Sequence, residues 1–352
     1  MTKDLQTQLD FYTRPAELCQ DTEHGPVCVA CAHKCRLTSS GARGVCALRS
    51  NKNGTIQAPW GYVSGLAFDP IEKKPLYHFL PGSSVLSFGM LGCNFKCDFC
   101  QNWLTSQVVK DPAAQAALRP CDPEDLLALA REHDCRAVAS TYNEPLITSE
   151  WAAAVFRQAR EAGLQTCYVT NGFASPEVLD YLEPWLDAAN VDLKCFTDAG
   201  YRHLGGRLPP VLDTISTLVR QGKWVETTTL LVPEFNDEPG ELTELAEFLA
   251  SLNPDMPWHV SAYHADYKRR GGTERTTPEA LQKAVDIGRK AGLRYIYTGN
   301  MPGFPEVGQT SCHNCGTAVV KRGGFKVSEM KIDANGNCPQ CQNPIPGRWL
   351  TG

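Results

Sequence analysis

Long apolar runs are missing from this chain of 352 residues. No uninterrupted stretch is long enough to cross a bilayer, which excludes a helical membrane protein. The opening MTKDLQTQLDFYTRP contains no apolar h-region, so no secretory signal is expected. A long basic run is missing too, and the net charge is −5, so composition lends nucleic-acid binding no support, although it does not exclude it. Internal repeats and low-complexity tracts are absent. Hydrophobic content of 42% against 21% charged residues argues against a disordered chain. These absences leave a cytoplasmic globular protein with no membrane partner. It has enough length for one large domain or two to three smaller ones.

Cysteine, in contrast, is plentiful. There are sixteen, and in a reducing cytosol clustered cysteines are metal ligands or redox groups more often than disulfides. Cys28, Cys31, Cys35 and Cys46 form one group, with Cys19 nearby as an extra. Cys93, Cys97 and Cys100 form a second, and Cys312, Cys315, Cys338 and Cys341 a third. Cys121, Cys135, Cys167 and Cys195 are scattered and read as small buried hydrophobes.

Between residues 84 and 300, short apolar runs alternate with helical patterns. SVLSFGML (84–91), RAVASTYN (136–143), LQTCYVTN (164–171), ANVDLKCF (189–196), KWVETTTLLV (223–232), PWHVSAYH (257–264) and LRYIYTGN (293–300) read as strands. Helix starts are marked by Asp122–Pro123, Ser175–Pro176 and Thr277–Pro278, and Gly292 marks a helix end. Such alternation implies a parallel sheet, here a full or partial (β/α) barrel with its chemistry at the C-terminal strand ends. Glu144, Thr170, Asn171, Asp192, Lys194, His259, His264 and Asn300 fall at those ends. Any one of them could merely cap a helix or close a turn; as a set they converge on one rim.

The flanks differ. The sequence divides into a cysteine-rich segment 1–60, a barrel core 61–304 and a four-cysteine module 305–352, with 111–120 as a loop. The terminal segments lack enough core to fold without metal staples. In the C-terminal module, CHNC and CPQC stand twenty-two residues apart, a four-thiolate zinc-ribbon spacing, with hairpin strands between them. The N-terminal group offers four thiolates with His33 as a spare, and its spacing leaves zinc and an auxiliary iron–sulfur cluster both open. The middle group has only three cysteines. Three thiolates can hold three irons of a 4Fe–4S cube and leave the fourth open, as catalytic zinc sites leave a position open.

Cys93-x3-Cys97-x-Phe99-Cys100 at a first strand end resembles the signature of the radical S-adenosylmethionine (SAM) superfamily. More closely, the chain resembles relatives of pyruvate formate-lyase activating enzyme, and among them the AmmeMemoRadiSam-system radical SAM proteins. The segments DPIEKKPLYHFLPGS, GCNFKCDFCQNW, STYNEP, VTNG, NVDLKCF, YHADYK and YIYTGN carry that resemblance, as do both cysteine-rich flanks.

The resemblance implies a cluster at Cys93, Cys97 and Cys100 that chelates SAM and cleaves it reductively to methionine and a 5′-deoxyadenosyl radical, which abstracts hydrogen from a substrate. It places Phe99 near the adenine. TYNEP stands where the superfamily often has Gly-Gly-Glu, so Asn143 and Glu144 become cofactor contacts, with Glu144 meeting the SAM amino group. Asp192 and Lys194 match an Asp-Leu-Lys motif, with Lys194 pairing the SAM carboxylate. Thr170 and Asn171 match a Thr-Asn-Gly turn near carboxylate and ribose. Val169 replaces an acid found there in activating enzymes, which puts a cation site in doubt. His264 is a SAM or substrate contact. The implied partners are a reductant such as flavodoxin or ferredoxin and a protein or RNA substrate. Two other functions compete: a zinc or iron–sulfur adaptor or nucleic-acid binder without radical chemistry, and a methylthiotransferase-like enzyme.

Overall fold

The computed structural model describes residues 3–272, 274–301, 303 and 308–349. Its centre is one eight-stranded sheet in which sequence order is spatial order. The strands are β1 (Gly65–Pro70), β2 (Ser84–Gly89), β3 (Ala137–Ser140), β4 (Gln165–Thr170), β5 (Ala188–Asp192), β6 (Trp224–Leu231), β7 (Trp258–Ala262) and β8 (Ile296–Gly299). Strands β2 to β8 are parallel and overlap the seven apolar runs read from the sequence. Strand β1 was not expected. It lies antiparallel to β2 at the sheet edge, mostly half-exposed, so it lacks a buried strand's apolar run. Among the described residues β1 and β8 are both edges, so the fold is the partial barrel of the two alternatives.

Helices α1 (Pro123–Glu132), α2 (Ser149–Glu161), α3 (Pro176–Leu182), α4 (Leu208–Arg220), α5 (Pro239–Leu252) and α6 (Pro278–Lys290) cover the outer face. Their starts follow the expected caps. Ser175 Oγ accepts from the Val178 N–H (3.2 Å) and Thr277 Oγ1 from the Ala280 N–H (3.2 Å).

The two-residue period of each strand divides its side chains between two layers. Leu86, Phe88, Val138, Tyr168, Val191 and Val260 face outward into the helical layer. Val85, Ala137, Ala139, Cys167 and Ala188 face inward, where they pack on Ile71, Leu76, Phe79 and Leu80. The connection between β1 and β2 thus runs through the barrel interior. The Tyr77 and His78 N–H groups donate to Glu226 on β6 (2.9 and 2.7 Å), and Asn190 on β5 donates to the Pro75 carbonyl (2.7 Å). This plug fills the N-terminal half of the interior and leaves the C-terminal half open.

Residues before 60 pack onto the barrel and share its core: Leu18, Val29, Leu48 and Ile56 join one apolar cluster with Ile147 and Phe173. Arg49 is 1% exposed and donates to the Ile147 carbonyl (2.9 Å) and to the buried Glu150 carboxylate (3.0 Å). The C-terminal module has a separate small core of Cys312, Val319, Val320, Cys338 and Ile345 around the hairpin Ala318–Gly323/Lys326–Met330. Arg322 anchors it by donating to the Tyr77 carbonyl (2.6 Å) and pairing with Glu72 (3.3 Å). Of the scattered cysteines, Cys135, Cys167 and Cys195 are buried as expected; Cys121 is only partly so, beside a short edge pairing. No helix among the described residues is long and apolar enough to cross a membrane.

Candidate active site

Strand β2 ends at Gly89, where a Cβ would collide with the Thr141 carbonyl at the end of β3. Gly92 follows in the left-handed region (φ 84°) and turns the chain into the loop that carries Cys93, Cys97 and Cys100. The loop is fixed by its own backbone. The Phe95 N–H donates to Cys93 Sγ (3.3 Å), and Lys110 donates to the Cys93 carbonyl (2.6 Å). Cys100 Sγ lies 3.2 Å from Ser106 Oγ. All three sulfurs line one cavity of about 100 Å³ with Asn143, Glu144, Thr170, Asn171, Asp192 and Lys194. Burial raises all three thiols, Cys97 to about 12 and Cys93 well above its ordinary value; Glu144 adds to the effect on Cys93, while Lys194 opposes it at Cys97.

Glu144 is buried and carries the network of the cavity floor. Its carboxylate accepts from Thr170 Oγ1 (2.6 Å), the Asn171 N–H (2.8 Å) and the Leu146 N–H (3.1 Å). Burial still lifts its pKa to about 7 against those donors. Asn171 reaches from the same turn towards the cysteine loop, with its Nδ2 2.8 Å from Asn94 Oδ1 and 3.8 Å from Cys93 Sγ. Asn143 accepts from the Met90 N–H (3.0 Å) and so ties β3 to the start of the loop.

Asp192 and Lys194 form an ion pair at 2.9 Å on the barrel wall. Burial disfavours the Lys194 ammonium, but Asp192, Cys97 and Cys100 more than offset this and hold its pKa above the ordinary lysine value. Both residues, with Cys97, Cys100 and Val169, also line a second cavity of about 450 Å³ that occupies the open half of the barrel. Phe99 walls this cavity, packs on Phe235 (5.4 Å between centroids) and lies under Arg269. The segment after β7 closes over the loop: the Lys268 N–H donates to the Asp98 carbonyl (3.0 Å), and Tyr267 stacks on Trp103 (5.1 Å).

Of the sequence-derived rim set, His264 is not brought in. It is exposed and contacts Gln101 (3.4 Å), which lines the larger cavity in its place. His259, one of that set, lines the larger cavity and pairs with buried Glu226 (2.7 Å). The structure adds Glu226, Tyr142, Asp69 and Lys74, which sequence reasoning did not select. Tyr142, forced to φ 72°, donates to Asp69 (2.9 Å), and Lys74 pairs with the same carboxylate (2.8 Å). The signal for Glu226 was an acid amid the threonines and aliphatics of WVETTTLL, on the face that alternation turns inward. Asp69 and Lys74 lie in a segment whose path no period predicts.

The C-terminal quartet also comes together. Cys312, Cys315, Cys338 and Cys341 place their sulfurs within 4.8 Å of one another, and the arrangement could hold a metal ion. Cys312 and Cys341 are 3.6 Å apart, Cys315 and Cys338 3.7 Å.

A family model described as the radical SAM superfamily matches residues 89–249, from the end of β2 through the three-cysteine loop into α5. Over those residues the chain carries a radical SAM superfamily domain. An uncharacterized protein of Methanocaldococcus jannaschii is 36% identical over 321 residues, 90% of this chain and 94% of its own. A putative glycyl-radical enzyme activating enzyme of the same organism is 25% identical over 56% of this chain and 74% of its own. Pyruvate formate-lyase-activating enzyme of Streptococcus mutans is 23% identical over 59% of this chain and 85% of its own. Among solved structures, a radical SAM methyltransferase from Sphaerobacter thermophilus superposes with a TM-score of 0.51 at 15% identity, covering 86% of this chain and 83% of that one, a likeness of fold. The chain is thus related to activating enzymes that generate radicals, and superfamily membership supports an enzyme using SAM radical chemistry.

Proposed function

We propose that the three-thiol cavity holds a 4Fe–4S cluster with one iron open to the larger cavity, where SAM binds. The observation that carries this reading is the shared wall: Cys97, Cys100, Asp192 and Lys194 line both cavities. The donor set fits, since one buried and two half-buried thiols converge on one small space, and Lys194 beside Cys97 and Cys100 favours their ionised form. Bound there, the cluster and SAM supply reductive cleavage of a carbon–sulfur bond and a primary carbon radical for hydrogen abstraction.

The chain's residues hold and orient. Lys194 stays charged and meets the SAM carboxylate, with Asp192 setting the direction of its ammonium group. Glu144 faces the small cavity and meets the SAM amino group. Its three donors fix the Thr170–Asn171 turn, which meets carboxylate and ribose. Asn143 sets the spacing between this floor and the loop, and Phe99 packs against the adenine. Val169 lines both cavities as an apolar side chain, so no cation site is built there. His264 acts through Gln101 rather than from inside the cavity.

The C-terminal quartet reads as a zinc site. Its 3.6 and 3.7 Å separations match the edge of about 3.8 Å that zinc–sulfur bonds of about 2.3 Å give a tetrahedron. By its relation to activating enzymes the substrate is read as a protein, and the electron source as a flavodoxin- or ferredoxin-like reductant. All sixteen cysteines are free, which suits a cytoplasmic setting.

The test is anaerobic. The reconstituted protein is incubated with SAM and dithionite and 5′-deoxyadenosine is quantified. Product from wild type and none from Cys100→Ala supports the reading. S-adenosylhomocysteine in its place, or no product from a loaded and SAM-bound wild type, would sink it.

A further inference from the structure

The N-terminal cysteines lie against the first cysteine loop. The Cys28 N–H donates to the Cys35 carbonyl (2.9 Å), and the Val45 N–H donates to Cys35 Sγ (3.4 Å). Cys46 follows Val45 directly, so that contact brings Cys46 to the Cys35 turn, and Cys28, Cys31 and Cys46 are all buried. The ring of His33, two residues past Cys31, meets the Asn94 carbonyl (3.1 Å).

Asn94 joins the two sites. It follows Cys93 directly and is 1% exposed. Its Oδ1 accepts from Asn171, the residue that also approaches Cys93 Sγ. Its Nδ2 stands beside the Cys31 thiol, yet it has no hydrogen-bond partner in range. A buried amide N–H left unpaired is costly, and a sulfur-rich group held by Cys31 would supply the missing acceptor.

Spacing separates the cysteine sets. The C-terminal quartet shows one-ion spacing. Among the described residues no other three such ligand atoms come within 4.8 Å of one another. Neither the N-terminal four nor Cys93, Cys97 and Cys100 therefore show that one-ion spacing.

We propose that Cys28, Cys31, Cys35 and Cys46 hold a second iron–sulfur cluster, joined through Asn94 to the cluster of the barrel, and that reducing electrons reach the barrel site through it. The relay role rests on the radical reading of the barrel site; the cluster itself does not. The path opens to the surface on the Cys35 side, where Cys35 is half-buried and Val45 is 50% exposed. One electron enters from a small iron–sulfur or flavin protein and one leaves at the barrel site for each SAM cleaved. No bond forms or breaks at the quartet and no proton moves.

The full chain is reconstituted anaerobically as wild type, as Cys93→Ala/Cys97→Ala/Cys100→Ala, and as Asn94→Leu. Iron, sulfide and zinc are counted and reduced samples are followed by EPR during a potentiometric titration. The triple variant is expected to keep about half of the wild-type iron and a cluster signal indifferent to SAM. Asn94→Leu is expected to keep the iron and to shift the second cluster to lower potential, because a donor to sulfur stabilises the reduced state. A triple variant without iron, or zinc at the quartet in the wild type, overturns the proposal, as does an unmoved potential in Asn94→Leu. The relay predicts that Cys31→Ala/Cys35→Ala loses far more SAM cleavage with a ferredoxin- or flavodoxin-class donor than with dithionite. Equal losses overturn the relay. Iron at the quartet beside a wild type that cleaves no SAM would bear out the cluster and overturn both the relay and the barrel reading.

Discussion

Lys194 shows how one side chain does two jobs. Its ammonium is held charged by Asp192 and the neighbouring thiols, and it stands on the wall between the three-thiol cavity and the larger one. On the proposed reading, removing it would delete a charge-assisted contact to the SAM carboxylate, worth about 1.5–3 kcal/mol, or roughly 10- to 100-fold in Kd. Calorimetric titration of SAM into reconstituted Lys194→Ala should show that loss; an affinity equal to wild type would remove Lys194 from the binding set. Arg49 illustrates the opposite case, a buried charge with a structural task. Arg49→Ala leaves Glu150 buried without its cation, and denaturant unfolding should show a loss of about 3–5 kcal/mol. A loss under about 1 kcal/mol would mean the pair behaves like an exposed one. Both lysine and arginine were visible as letters, but only the lysine stood at a strand end where its role could be read. Arg49 sits in a segment without periodicity, and its partner lies 101 residues away.

At the scale of elements, legibility followed burial. The seven parallel strands announced themselves because sheets buried on both faces need continuous apolar runs. Their helices announced themselves through N-caps that the structure then uses. The β1 edge strand and the plug after it carried no comparable signal, since half-exposed edges and irregular segments have no period. The plug nevertheless sets the cavity depth and ties the C-terminal module to the barrel. His78 is the knot: its Nδ1–H donates to the Pro346 carbonyl (2.6 Å) and its Nε2 accepts from Tyr297 (2.6 Å). Burial lowers its pKa from 6.5 to about 4, although Glu226 and Pro346 pull the other way. Between those values the unfolded chain takes up a proton that the folded chain refuses, so the neutral His78 contributes stability that is lost as pH falls through the window. His78→Gln should therefore show a shallower fall in unfolding midpoint from pH 6.5 to 4 than wild type. Parallel curves would place the acid sensitivity elsewhere.

The whole molecule is a partial barrel with a cysteine site at each end of its chain and one at its mouth. The C-terminal module has so small a core of its own that a metal at its cysteine quartet would supply much of its order. A chelator should open residues 308–349 to proteolysis and hydrogen exchange while the barrel strands stay protected; protection that survives complete metal removal would show the module folding without it. The cysteine groupings were legible because ligand spacing is local in sequence. The adjacency of the first group to the second was not, because it depends on Asn94, a single residue that meets both the Cys31–His33 segment and the distant Asn171 turn. A three-thiolate cluster that keeps an iron open towards the larger cavity must change its electronic state when SAM binds. The most direct measurement is the EPR spectrum of the reduced, reconstituted Cys31→Ala/Cys35→Ala variant before and after SAM is added. A changed spectrum, absent once Cys100→Ala is also introduced, is the predicted result; an iron–sulfur signal that SAM leaves untouched would contradict it.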